Sequence, residues 1–243
     1  MSAVSPRLGA LVTTLVFMTA SDLAFAGSLS VSPLRVSFTG PNQGSVVEVT
    51  NTGDHDLSMQ VEAVEWIQSA QGVDEYYPTQ AIIAVPPIFT VPPGKTQLIR
   101  VGKLDQLPGE FERAYRLFIT ELASPGDHET RTALKFRMKI SLPVFDAPLV
   151  PSEPRLDLLE TEFRDGMLRV RLFNPGNSHV QVKRLVADQG TGFDDDTATS
   201  MGYLLPGVHR DFYIELKDEA RVRRIKAETD VAGVLEYAVV SAQ

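Results

Sequence analysis

The side chains with chemistry to offer are four histidines, an aspartate triplet, a glycine pair and a short basic cluster. His55, His128, His179 and His209 each stand beside turn residues with no metal-ligand spacing between them, so they read as surface or capping histidines. No G-x-S-x-G elbow occurs and there are no cysteines, which removes the usual nucleophiles, zinc-thiolate sites and disulfides together. Asp194-Asp195-Asp196 lacks the glycine and distal glutamate of a calcium-binding loop, and so reads as a solvated acidic loop. Gly190 and Gly192 lie in that same loop and not between a strand and a helix, so they make no phosphate cradle. Arg221, Arg223, Arg224 and Lys226 fit the solvated face of a strand. The expectation is a non-enzymatic protein with no cofactor and no metal.

With chemistry set aside, the strongest pattern is Thr132 to Asp146. Apolar and polar residues alternate from Leu134 to Leu142, which puts Leu134, Phe136, Met138, Ile140 and Leu142 on one strand face and Lys135, Arg137, Lys139 and Ser141 on the other. Pattern alone leaves two readings open. The apolar face packs into the protein's own core, or the strand is an edge that offers those side chains to another protein, with its cations guarding the edge against indiscriminate pairing.

A net charge of -8 and a pI of about 5.1 argue against a nucleic-acid partner. Arg7, the apolar run Leu8 to Ala20 and Ala24-Phe25-Ala26 form the three parts of an export signal, so the mature chain is expected to begin at Gly27. No later run approaches the length of a membrane span, which predicts a soluble, exported protein without stable membrane insertion.

Strand-like runs follow at roughly ten-residue intervals: Ser28 to Phe38, Ser45 to Thr50, Leu57 to Ile67, the proline-punctuated Ile82 to Val91, Thr96 to Val101, Arg113 to Leu122 and Leu134 to Leu142. Prolines at 86, 87, 92 and 93 forbid a helix there. Ala147 to Pro154 holds three prolines and reads as a stiff linker. Beyond it, Leu156 to Phe163, Met167 to Phe173, His179 to Ala187, Met201 to Leu205, His209 to Leu216, Arg221 to Ala227 and Val234 to Val240 are further strand candidates. The expected class is all-β, with two immunoglobulin-like β-sandwich domains. The expected division is signal peptide 1–26, first domain 27–147, linker 148–154 and second domain 155–243.

Several segments in order carry a likeness. They are Ser32-Pro33-Leu34-Arg35-Val36-Ser37-Phe38, Val49-Thr50-Asn51-Thr52-Gly53-Asp54, Trp66 with Gly72 behind it, the run Pro86 to Val101, Arg113-Ala114-Tyr115-Arg116-Leu117, and Leu172-Phe173-Asn174-Pro175-Gly176-Asn177-Ser178-His179-Val180 with its N-x-G-N-x-H pattern. On these the chain resembles the PapD-like periplasmic chaperones of the chaperone/usher pathway, and particularly the archaic or spore-coat-U-associated branch. The resemblance spans the mature sequence. It implies two domains in a boomerang arrangement, and partners that are pilus or fimbrial subunits and an outer-membrane usher. It also implies a periplasmic location and a donor strand with Leu134, Phe136, Met138 and Ile140 that completes an unfinished immunoglobulin-like subunit. Two cleft cations would grip the subunit's C-terminal carboxylate. Arg35 matches the first by its R-x-x-F-x-G context through Phe38 and Gly40. Lys139 is chosen for the second, and a two-residue shift would select Arg137 or Ser141 instead. Leu142-Pro143-Val144-Phe145 departs from the more aromatic and basic run of the best-known branch and points toward the archaic one. The rival expectations are a structural or adhesive two-domain envelope protein and an exported hydrolase with a site between the lobes.

Overall fold

The computed structural model describes residues 29–104, 109–123, 137–188, 192–193, 201–216 and 222–239. Strands account for all of its named elements and no helix occurs among the described residues. In the amino-terminal half, β1 (Leu29–Ser32), β3 (Gly44–Asn51), β8 (Thr96–Lys103) and β6 (Ile82–Val85) form one sheet in the order β1-β3-β8-β6. The facing sheet runs β2-β10-β9-β4-β5, from β2 (Val36–Phe38), β10 (Lys139–Asp146), β9 (Arg113–Glu121), β4 (Leu57–Gln68) and β5 (Asp74–Pro78), with β7 (Ile88–Val91) also paired to β4. The two face each other across a core of alternate side chains, among them Val47, Val49 and Ile99 from the first and Met59, Leu117, Ile119, Leu142 and Val144 from the second.

The first strand-like run divides in two. Proline supplies no ladder donor, and at Pro33 the chain leaves β3 in one sheet and joins β10 in the other as β2. The proline-punctuated segment likewise becomes two short strands, β6 and β7, separated by Pro86-Pro87.

Past the linker, β11 (Asp157–Arg164), β12 (Met167–Phe173) and β15 (His209–Glu215) form a three-stranded sheet. It packs on a four-stranded one in the order β14-β13-β16-β17, from β13 (Val180–Asp188), β14 (Gly202–Leu204), β16 (Arg224–Thr229) and β17 (Val234–Ala238). Their core includes Val170, Leu172, Val182, Leu185, Phe212 and Ile225. Arg224 and Lys226 stand on a charged face of β16 against Asp188, Glu228 and Glu236, as the alternation there predicts.

The same asparagine turn closes a strand in each half. Asn51 Nδ2 donates to the carbonyls of Val91 and His55 while its Oδ1 accepts from Gly53 N–H. Asn174 Nδ2 donates to those of Leu204 and Ser178 while its Oδ1 accepts from Gly176 N–H. Both asparagines are fully buried, so each amide satisfies backbone groups that water cannot reach.

Candidate partner-binding cleft

At the end of β9, Glu121 N–H donates to the carbonyl of Met138 just before β10, in line with the antiparallel ladder in which Ile140 pairs with Ile119, Leu142 with Leu117 and Val144 with Tyr115. Backbone groups of even-numbered residues therefore point toward β9, and those of odd-numbered residues point away from it. Ala147 N–H accordingly donates to the carbonyl of Phe38 on the opposite side. β2 runs parallel to β10 but covers only Val144 to Asp146. Among the described residues no strand covers the outer edge of 139–143, so the N–H and C=O groups of Lys139 and Ser141 have no ladder partner there. Pro143, the third edge-facing position, has no N–H to leave unpaired.

The inward face of β10 leaves the protein's own core step by step. Val144 and Leu142 are buried, at 0% and 2% exposure, whereas Ile140 and Met138 are half-buried. Of the expected donor residues, Ile140 packs at the rim of the core and Met138 lies beyond it, while Leu134 and Phe136 fall outside the described residues. At its far end the strand is pinned by Asp146, which is buried and accepts from Lys103 Nζ at 2.6 Å and Arg113 Nη2 at 2.8 Å.

The outward face of the same sheet begins under the second domain and becomes exposed toward Ser141 and Lys139. Trp66, Ala114 and Phe145 are buried against Leu205, Val208 and Tyr203 of the second domain. Each large apolar side chain sequestered in this way stabilises by roughly 1.5–3 kcal/mol. One step further out lies Arg116, opposite Pro143 in the ladder, with its guanidinium 3.8 Å over Trp66 and 5.4 Å from the centre of Tyr203. Its Nε is buried without a hydrogen-bond partner among the described residues, and burial pushes its pKa below the usual arginine range. Burial likewise raises Tyr203, against the opposing charges of Arg116 and Arg35. Further out, Phe118 packs edge-on to Tyr76 and carries Lys139 Nζ 4.0 Å over its ring.

Arg35 sits at the mouth of β2, one residue before Val36, and donates from Nη1 to Asp230 Oδ2 of the second domain at 2.6 Å. Lys139 is five residues up β10 from the Val36–Val144 pair, roughly 13 Å beyond the level of Arg35 at 3.3 Å per residue. The structure therefore does not bring Arg35 and Lys139 together. Arg116 and Arg35 instead flank Pro143 from the two neighbouring strands. Of the two register alternatives, Ser141 is exposed on the outward face only two residues from Pro143, and Arg137 is exposed beyond the strand.

His179 overturns the expectation of a surface histidine. It is buried at the domain junction, its ring stacked 3.6 Å from Phe145, with Nδ1 2.7 Å from Glu112 Oε1 and Nε2 3.6 Å from Asp230 Oδ2. Burial disfavours its charged form, yet the two carboxylates outweigh that cost and raise its pKa above 6.5. Asp230 is shifted the opposite way. Burial is again opposed, here by the facing imidazole of His179 at 3.6 Å and by hydrogen bonds from the Gln181 backbone and Arg35, which bring it down to about 2.

The loop before His179 explains the N-x-G-N-x-H spacing. Asn177 holds the linker by donating from Nδ2 to the Pro151 carbonyl and accepting at Oδ1 from Glu153 N–H. A Cβ at Gly176 would lie 2.1 Å from the carbonyl oxygen of Glu153, so only glycine fits. The side chain of Gln68 completes the junction, donating to the Tyr203 carbonyl and accepting from Leu205 N–H. Sequence reasoning passed over Arg116, Glu112, Gln68 and Asp230. The signal for Arg116 lay in the segment Arg113 to Leu117, where it alternates with the core residues Tyr115 and Leu117.

Residues 28–150 match the family of pili and flagellar-assembly chaperones through its PapD N-terminal domain, and the chain belongs to that family. It is 24% identical over 173 residues to the chaperone protein LpfB of Salmonella typhimurium, which covers 70% of this chain and 68% of that one. Among solved structures it is similar to a chain of the CsuC–CsuE chaperone–tip adhesion subunit complex, from the archaic chaperone-usher Csu pili of Acinetobacter baumannii. That likeness has a TM-score of 0.66 at 21% identity and covers 86% of this chain and 98% of the other. A chain of the Salmonella enterica SafA pilin–SafB chaperone complex gives a TM-score of 0.59 at 14% identity, covering 87% and 96%. These likenesses show the fold, the two-domain all-β architecture of pilus chaperones. No helix among the described residues is long and apolar enough to cross a membrane. The family's role is chaperoning pilus subunits, and this chain is a chaperone of that class.

Proposed function

We propose that this chain holds unfinished immunoglobulin-like pilus or fimbrial subunits by lending them β10, and passes them to an outer-membrane usher. The observation that carries this reading is the uncovered edge of β10 from Lys139 to Pro143, ending where β2 begins. An extended segment laid parallel to β10 on that edge occupies the path β2 would take if it started earlier, so its C-terminus stops beside Arg35. Its ladder runs through Lys139 and Ser141, while Met138, Ile140 and, further on, Phe136 and Leu134 enter the subunit's groove. Arg35 and Arg116 receive the chain-terminal carboxylate. Lys139, the cation first expected there, stands further along the edge, where it meets the body of the subunit.

In this reading residues 1–26 direct export, Gly27 begins the mature periplasmic chain, and 148–154 link domains 27–147 and 155–243. Mass determination of exported protein checks the cleavage point. The chain acts by binding and catalyses nothing. The anchor is tested by co-purification with a pilus subunit encoded beside it. Charge-assisted hydrogen bonds of about 1.5–3 kcal/mol predict that Arg116→Gln, or a subunit extended past its last residue, weakens capture by roughly ten- to a hundredfold. Undiminished capture by both refutes the anchor, and failure of the unaltered chain to hold any subunit refutes the chaperone reading.

A further inference from the structure

Asp230 stands between two cations that it serves unequally. Its Oδ2 accepts from Arg35 at 2.6 Å but is 3.6 Å from His179 Nε2, beyond hydrogen-bond distance. His179 Nδ1 donates to Glu112 at 2.7 Å, while its Nε2 is buried with no hydrogen-bond partner among the described residues. The two carboxylates favour the protonated ring, whose Nε2–H is then unpaired at a cost, and about half an ångström of movement by one carboxylate relieves it. Asp230 itself is held by Gln181 N–H through Oδ1 at 2.8 Å, so it can pivot without losing its backbone contact. Arg35 is the cleft residue beside the stopping point of an incoming strand, with its side chain 42% exposed against 5% for Asp230.

We propose that Asp230 is a positioning residue that exchanges partners when the cleft fills. In the empty cleft it occupies Arg35 and so acts as an internal competitor for the carboxylate that Arg35 receives. When an anionic chain terminus takes Arg35, Asp230 turns to His179 Nε2 and completes the chain Glu112–His179–Asp230 across the domain junction. Occupation of the cleft and tightening of the hinge are thereby one event, and a partner without a free anionic terminus cannot trigger it. This rests on the cleft being a carboxylate site, as proposed above.

The test uses the full mature chain and a short peptide of alternating threonine and valine, with a lysine pair at its start. The peptide is made with a free C-terminal carboxylate and also amidated. Asp230→Asn keeps the Gln181 contact and removes the competitor. It is expected to bind the carboxylate peptide about fivefold tighter than the unaltered chain does, and the amidated peptide equally. In proton NMR of chain labelled with nitrogen-15 in histidine, a downfield, slowly exchanging Nε2 proton of His179 should appear on adding the carboxylate peptide. It should also appear in peptide-free Arg35→Gln, and never in Asp230→Asn. Equal affinities for the carboxylate peptide in the two chains, or no new His179 proton in Arg35→Gln, overturn the exchange. The Arg35→Gln arm needs no ligand. If the unaltered chain binds neither peptide the cleft reading falls, and that arm still decides the partner exchange on its own.

Discussion

Replacing Ser141 by proline separates the use of β10 as the protein's own strand from its use as another protein's. Because even-numbered residues bond to β9, the N–H of Ser141 faces the uncovered edge, and removing it breaks nothing in the ladder that holds the first domain together. Two residues on, Pro143 already occupies the same kind of position, and Ile140 before it is in the extended conformation that a following proline requires. The free protein is therefore expected to lose roughly 1 kcal/mol or less, read as the midpoint of urea unfolding. A partner strand is affected far more. It forfeits a ladder bond of about 0.5–1.5 kcal/mol and keeps a carbonyl buried without a donor at a further 1–3 kcal/mol, so affinity should fall roughly ten- to two-thousandfold. Ser141→Ala keeps the N–H and serves as the control for the side chain. Leu142→Pro has the opposite signature. It removes a fully buried side chain and a β9 bond, and should cost more than about 4 kcal/mol, most of a domain's stability. Calorimetric titration of a pilus subunit against each variant reads the binding. If Ser141→Pro unfolds the protein, the edge is already paired within the chain. If it binds subunit like the unaltered chain, β10 is not the strand that is lent.

The gradient of burial along β10 makes a second comparison. Leu142→Ala should destabilise by roughly 2–5 kcal/mol in thermal melts, whereas Met138→Thr should cost well under 1 kcal/mol yet weaken subunit capture, and equal melting losses would mean that Met138 is ordinary core. The hinge carries a pH dependence with two limbs. Asp230, held down to about 2 from 3.8, contributes stability that is complete above about pH 4 and is lost as pH falls toward 2. His179, raised above 6.5 between Glu112 and Asp230 with Arg35 behind, contributes stability present below pH 6.5 and lost as pH rises through its raised value. Urea midpoints measured across pH should show both limbs, and His179→Gln should flatten the alkaline one and shrink the acid one, because His179 is among the groups that hold Asp230 down. An unchanged alkaline limb in that variant would place its origin elsewhere.

The period-two alternation of Leu57 to Gln68, Arg113 to Glu121 and Lys139 to Asp146 sets which side chains enter a core, and from it the all-β class and the strands of both domains were legible. β5 was not, because Asp74-Glu75-Tyr76-Tyr77-Pro78 barely alternates and is held as a strand by β4, to which Trp66 and Gln68 tie it through Asp74. The errors at the site have one physical origin. Alternation assigns a residue to a face but says nothing of what later covers that face, and in the six-stranded sheet the outward face is solvated at one end and buried by another domain at the other. Lys139 and Phe145 share it, yet one is exposed and the other lies beneath His179. A charged residue on such a face reads as solvated in any local window, so Arg116 is passed over and His179 reads as a turn histidine. Both are defined by contacts with residues far away in sequence. The pairing of Arg35 with Lys139 meets the same limit, since face alone cannot fix distance along a strand, and the register of β2 on β10 sets the two residues at different levels. What does mark such a face in sequence is composition. A solvated strand face is rarely built from tryptophan, alanine and phenylalanine, and Trp66, Ala114 and Phe145 at outward positions of three neighbouring strands are the signature of a sheet that continues under a second domain. Where that apolar patch gives way to Arg116 and then to Lys139, the cover ends and the cleft begins.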